Sequence, residues 1–228
     1  MGVSSILKNP SGKGRTYVEF NGKEGVFVHT DKDTKEKSTF SQIDYAHLQK
    51  IEYKKDHFDG QDIHKAQVHL KGAEDDSHVV LTFNMGTFAG ARMLGLLNAA
   101  IGKPDVAVKW NTGATKAGEK LLNGDVADKD FVWVSLRQDG AQQTLKPKYD
   151  TPDGKLPEAI KVPIGGGKTA LNMDPVNAVS EALFAKIAEK LGGVAQAEAE
   201  AHLPAQDEAD AADFAQHEAE AAADAPRG

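Results

Sequence analysis

The sequence predicts a mainly β fold: a small five-stranded Greek-key barrel with one inserted helix, then a C-terminal helix and a disordered acidic tail. Three observations carry that expectation. Short runs of alternating β-branched and aromatic residues recur between turn signals from Thr16 onward. A single strongly apolar helical run, Phe88 to Ile101, interrupts them. No βαβ rhythm of a parallel sheet is present.

The elements follow in order. Thr16 to Phe20 and Gly25 to His29 alternate about Asn21-Gly22, a hairpin-type dipeptide. Asp31 to Ser38 reads as a charged loop. His47 to Lys54 alternates in part, and the polar residues 55–64 read as a turn. Ala66 to Leu70 and His78 to Phe83 flank Gly72 to Asp76 as a long hairpin. Thr87 is placed to cap the helix, and Gly102 with Pro104 ends it. Two further strands are expected, Val106 to Trp110 and Phe131 to Arg137. Residues 1–150 thus form the first domain.

Pro147, Pro152, Gly154, Pro157, Pro163 and Gly165 to Gly167 make 151–171 a linker or extended arm. A helix is expected over 172–193, with Pro175 in its first turn and Val176, Val179, Leu183, Phe184, Ile187 and Leu191 as its stripe. The tail, 194–228, has helical propensity but no apolar face to bury, so disorder is expected there.

Charge is unevenly placed. From Gly193 to Gly228 nine acids meet one base, Arg227. Of the chain's 34 acids and 27 bases, 25 and 26 therefore lie in residues 1–192. The body is near neutral and the tail is a polyanion, a layout suited to a protein whose body meets a polyanion. The chain has no cysteine, which removes disulfides, thiol nucleophiles and thiolate metal sites. No run approaches the ~18 apolar residues of a membrane span, and the N-terminus lacks an apolar signal core. A cytoplasmic protein is expected, in the host cytoplasm if viral.

Two motifs resemble catalytic signatures and fail on spacing. Gly165-Gly166-Gly167-Lys168-Thr169 lacks the first glycine of a P-loop, since position 162 is Val. His57, His64 and His69 lie near Asp56, Asp59 and Asp62, but their spacing fits no single helix face or zinc pattern. No metal, cofactor or catalytic residue is assigned, and the protein is read as a non-enzyme.

Barrels of the OB type bind single strands with aromatic rings that stack bases and cations that track phosphates. In 131–137 the alternation sends Val132, Val134 and Leu136 one way, and Phe131, Trp133, Ser135 and Arg137 the other. Tyr17 alternates against Val18, and Phe27 against Val26 and Val28. Trp110 shares parity with Val106 and Val108 and reads as core. The nucleic-acid-binding set is therefore Arg15, Tyr17, Phe27, Lys54, Lys109, Trp133, Arg137, Lys146 and Lys148.

Together these features resemble phage-type OB-fold single-stranded DNA-binding proteins with an acidic C-terminal tail. The resemblance rests on the β-rich body, on Phe131 to Gly140 followed by Lys146-Pro147-Lys148-Tyr149, and on the tail. It covers about 1–150 plus the tail and implies an OB-like five-stranded barrel. It also implies sequence-nonspecific binding of single-stranded DNA during replication or recombination in a bacteriophage, with the tail regulating binding or recruiting replication or recombination proteins. The alternatives are a structural or assembly protein such as a virion component, and a metal-dependent nucleic-acid enzyme.

Overall fold

The computed structural model describes residues 15–58, 61–73, 77–120, 125–166 and 168–192. The tail, expected to be disordered, lies outside the described residues. No helix among those described is long and apolar enough to cross a membrane.

Among the described residues there are ten strands and two helices. They are β1 (Arg15–Asn21), β2 (Val26–Thr30), β3 (Lys37–Phe40), β4 (Gln42–Phe58), β5 (Gln61–Gly72), β6 (His78–Asn84), α1 (Phe88–Ala100), β7 (Val108–Thr115), β8 (Phe131–Gln138), β9 (Ile160–Gly165), β10 (Lys168–Asn172) and α2 (Asp174–Leu191). The first eight strands form one sheet in the order β3-β2-β1-β6-β5-β4-β7-β8. Only the β1–β6 pair is parallel.

The sheet curls into a half-barrel. β3 begins the strand order, yet only Ser41 separates it in sequence from β4, five places along. At the β1–β2 turn, Gly25 holds φ +67°, and a β-carbon there would run into the Gly113 carbonyl of β7. The turn can approach β7 so closely only because residue 25 has no side chain.

One face of the sheet is apolar by alternation, shifted by one residue at a bulge between Leu48 and Lys50 of β4. Val18 and Phe20 of β1 share it with Phe27 of β2, Val79, Leu81 and Phe83 of β6, Val68 and Leu70 of β5, Ile51 of β4, Trp110 of β7 and Leu136 of β8, all buried. Trp110 is core, as its parity implies. β4 and β5 run straight through 55–58 and 61–64, where the sequence reads as a turn. Their polar residues there are held by pairing and by cross-strand ion pairs, Lys55–Asp62 at 2.9 Å and Lys65–Asp56 at 2.9 Å.

Thr87 caps α1, its hydroxyl accepting the Gly90 amide at 3.0 Å. The helix is buried on nearly every side, and three neighbours account for that. Arg92 donates from Nε to the Val134 carbonyl of β8, 3.0 Å. α2 lies alongside. Tyr149 crosses α1 at Gly95, where a β-carbon would sit 2.7 Å from the ring. α2 carries Pro175 in its first turn and ends on Gly192 at φ +71°. Asn172 serves its start, accepting the Asp174 amide at 2.8 Å. Phe184 meets Tyr53 of β4 edge-on at 6.3 Å.

Residues 151–171 are more than a linker. β9 and β10 pair as an antiparallel hairpin with a sheet of their own. Of the Gly-Lys-Thr motif, Gly165 ends β9, Gly166 follows at φ +61°, and Lys168 and Thr169 begin β10.

Candidate nucleic-acid interface

Strand alternation decides what the other face of the sheet presents. On β8, Trp133, Ser135 and Arg137 point away from the core. Trp133 is 38 % exposed, unusual for so large an apolar side chain. Its partner across the ladder is Gly113, and the indole covers that glycine. Arg137 pairs in register with Lys109. Lys109 lies 3.4 Å from Asp44 and 5.8 Å from the Tyr45 ring, while Arg137 donates from Nε to the Ala141 carbonyl at 2.7 Å. Lys109, Trp133 and Arg137 thus share one outer face of β7–β8. Phe131 joins them two residues before Trp133, roughly 7 Å along the strand.

At the start of this strip a cleft of about 950 Å³ opens between the β1–β2 hairpin, β3, the first turn of α1 and the β7–β8 tip. Four cations line it: Lys23, Lys37, Arg92 and Lys116. Two carboxylates, Glu19 and Asp130, face them, along with Phe20, Phe88 and Phe131. Both carboxylates are already paired. Lys65 holds Glu19 at 2.8 Å, and Lys116 holds Asp130 at 2.8 Å. The Lys116 ammonium, with the Ala117 amide, keeps the Asp130 carboxyl below its usual range, and Asp130 in turn raises Lys116. Phe88, at the mouth of α1, is 45 % exposed. Positive charge beside exposed rings is what a single strand requires.

The other expected site residues are dispersed. Arg15 and Tyr17 are exposed on the outer face of β1, with Lys32 5.1 Å above the Tyr17 ring. Lys54 is exposed on β4. Lys146 and Lys148 lie exposed in the segment that covers α1, where the Lys148 amide donates to the Gly95 carbonyl at 2.8 Å. Phe27 is a correction. The β1–β2 register sets it opposite Phe20, with ring centroids 5.8 Å apart, and it is fully buried. Its alternation against Val26 and Val28 holds, but its side of the strand is the core side, so it offers no ring to a base.

Sequence reasoning missed the cleft: Lys23, Lys37, Phe88, Arg92 and Lys116 come from four separate elements. Phe88 carried a signal, an aromatic directly after the helix cap, where the first turn projects toward solvent.

The three histidines take separate partners. His57 bonds Asp62 at 3.2 Å, His64 bonds the Tyr53 hydroxyl at 2.6 Å, and His69 lies 2.6 Å from Glu52. Among the described residues no three His, Cys, Asp or Glu side chains group as metal ligands. Comparison with protein-family models, curated proteins and solved structures finds no match to this chain.

Proposed function

We propose that this protein binds single-stranded DNA without sequence preference, as a phage-type replication or recombination protein does, through an OB-like body and a regulatory acidic tail. The observation that carries the reading is the strip from the cationic cleft across Phe131 and Trp133 to Arg137 and Lys109. Phe131 to Arg137 spans about 20 Å of strand, a length suited to a few nucleotides. Lysines and Arg92 take the phosphates, and Phe88, Phe131 and Trp133 offer faces to bases. Every base has such a face, so stacking tolerates all sequences. The tail, with nine acids and one base, competes with the strand for cationic surface or recruits partner proteins.

The test is a titration of labelled oligo-dT against the purified full chain, repeated with a duplex of the same length. Tighter binding of the single strand is expected. Equal affinity for duplex, or no binding of either, overturns the reading. Divalent-dependent cleavage of the oligonucleotide would point instead to a nucleic-acid enzyme.

A further inference from the structure

The β9–β10 hairpin is a poor fit to a monomer. It pairs only with itself, yet Ile160, Val162, Ile164 and Leu171 are 54 %, 40 %, 62 % and 56 % exposed. These are half of the large exposed apolar side chains among the described residues, gathered on eleven residues of strand. A lone two-stranded hairpin is marginal in water and needs a third strand or a packing surface. The register sorts the side chains. Val162 pairs with Ala170 and Ile160 with Asn172, so Ile160, Val162, Ile164 and Ala170 share one face. Pro163 pairs with Thr169 and Lys161 with Leu171, so Leu171 and Pro163 lie on the other. Both faces are therefore partly apolar, which suits an arm covered from two sides.

We propose that this hairpin is a self-association arm. Its Ile160-Val162-Ile164 stripe packs on the same stripe of a second copy of this chain across a two-fold axis. Its Leu171 face lies against the body of that copy. The stripe is self-complementary, as a two-fold interface demands. Area sets the mode of contact. A strand pair about 20 Å long presents a face of roughly 200 Å². Stacking one face on its twin buries about 400 Å², too little for a stable dimer. Covering the Leu171 faces as well brings the total to about 1,200 Å², within the range of specific interfaces. Lys161 lies on the Leu171 face, so the stripe of Ile160, Val162, Ile164 and Ala170 meets its twin without facing charges. Apolar contact of this kind survives added salt, which weakens nucleic-acid binding.

The inference is independent of the nucleic-acid reading, and its test uses the full chain without DNA. Sedimentation equilibrium over a wide concentration range is expected to show a monomer–dimer equilibrium that persists at high salt. The triple variant Ile160→Ser, Val162→Ser, Ile164→Ser alters only exposed side chains and is expected to weaken dimerisation at least about tenfold, roughly 1.4 kcal/mol. Because the chain has no cysteine, Val162→Cys gives a clean second readout. It is expected to oxidise to a disulfide-linked dimer faster than Asp139→Cys, placed at the exposed turn after β8. A chain that stays monomeric throughout overturns the proposal. So does a dimer unaffected by the triple variant, or equal cross-linking at 162 and 139. If the triple variant fails to fold, the cysteine pair decides alone.

Discussion

The indole of Trp133 lies across Gly113 on the neighbouring strand, filling the space that a β-carbon at 113 would need. That carbon would come within 2.6 Å of Trp133 Cζ2. The Nε1, Cε2 and Cζ2 side of the ring is thereby set against the Gly113 backbone, on the outer surface of the sheet. A glycine opposite an aromatic lets a strand carry an exposed ring in one orientation, and the stacking partner of a base has to be oriented before the base arrives.

Trp133 is expected to report binding directly. The chain has two tryptophans, and Trp110 is fully buried, so quenching on addition of oligo-dT comes from Trp133. Trp133→Ala is expected to weaken binding by ~1–3 kcal/mol while leaving the fold intact. Gly113→Ala displaces the ring and is expected to shift its emission and lower affinity together. Unchanged affinity in both variants removes Trp133 from the interface.

The cleft lysines are expected to act through phosphate charge. On single strands the log–log salt slope is roughly −0.7 per phosphate neutralised. Lys23→Glu with Lys37→Glu is expected to reduce the slope by at least about 1.4 and to weaken binding equally for oligo-dT and oligo-dC. Full-chain and variant isotherms across a salt series measure this. An unchanged slope would place the strand elsewhere, the outer face of β1 with Arg15 and Tyr17 being the nearest cationic alternative.

Much of the fold is legible in the sequence wherever one face of an element is apolar. The parity of 131–137, the α1 run with its Thr87 cap and most of the α2 stripe, Val176, Leu183, Phe184 and Ile187, reappear, because burial on one side leaves a period in the order of residues. Residues 55–64 were not legible. At that end of the β4–β5 ladder Lys55, His57, Asp62 and His64 share one face and Asp56 lies on the other, so no period survives, and pairing with ion pairs holds the strands. The β9–β10 hairpin hid behind its Pro and Gly content, although Ile160-Lys161-Val162-Pro163-Ile164 does alternate. Proline is tolerated there because the hairpin is all edge. Phe27 shows the limit of parity, which groups residues by face without saying which face is the core. The cleft was illegible because its cations come from four distant stretches that only the curled sheet assembles.

His69 gives the body a pH signature. It sits between Glu52 and Lys50 on the outer sheet face, with Nε2 2.6 Å from Glu52 Oε2 but off the ideal hydrogen-bond line. Burial lowers its pKa, helped by the Lys50 and Arg15 charges, and the opposing pull of Glu52 does not restore it. A histidine whose folded pKa is depressed resists protonation in the native state. The unfolded chain then binds more protons below about pH 6.5, so stability falls as pH drops from there until the folded pKa is passed. The melting temperature of the wild type is expected to fall relative to that of His69→Gln as pH drops across that window. A constant offset would show that His69 does not titrate differently on folding.

Deleting residues 194–228 is expected to tighten oligo-dT binding at low salt. The deletion removes nine acids and one base, turning a chain of net charge −7 into one of about neutral charge. It takes away little apolar surface, and the buried core among the described residues runs from Thr16 to Ala188, before the deletion, so folding is expected to survive. A polyanion tethered to a cationic site reaches an effective concentration in the mM range where the linker is short, and competes there without high affinity of its own. Competition of this kind fades once the Debye length shrinks to ~8 Å or less. The two affinity curves are therefore expected to diverge at low salt and merge at high salt. Parallel curves of equal affinity at every salt would show that the tail does not compete with the strand. Its acids would then serve solubility or a partner protein, and autoinhibition would be lost from the proposed function while single-strand binding itself stood.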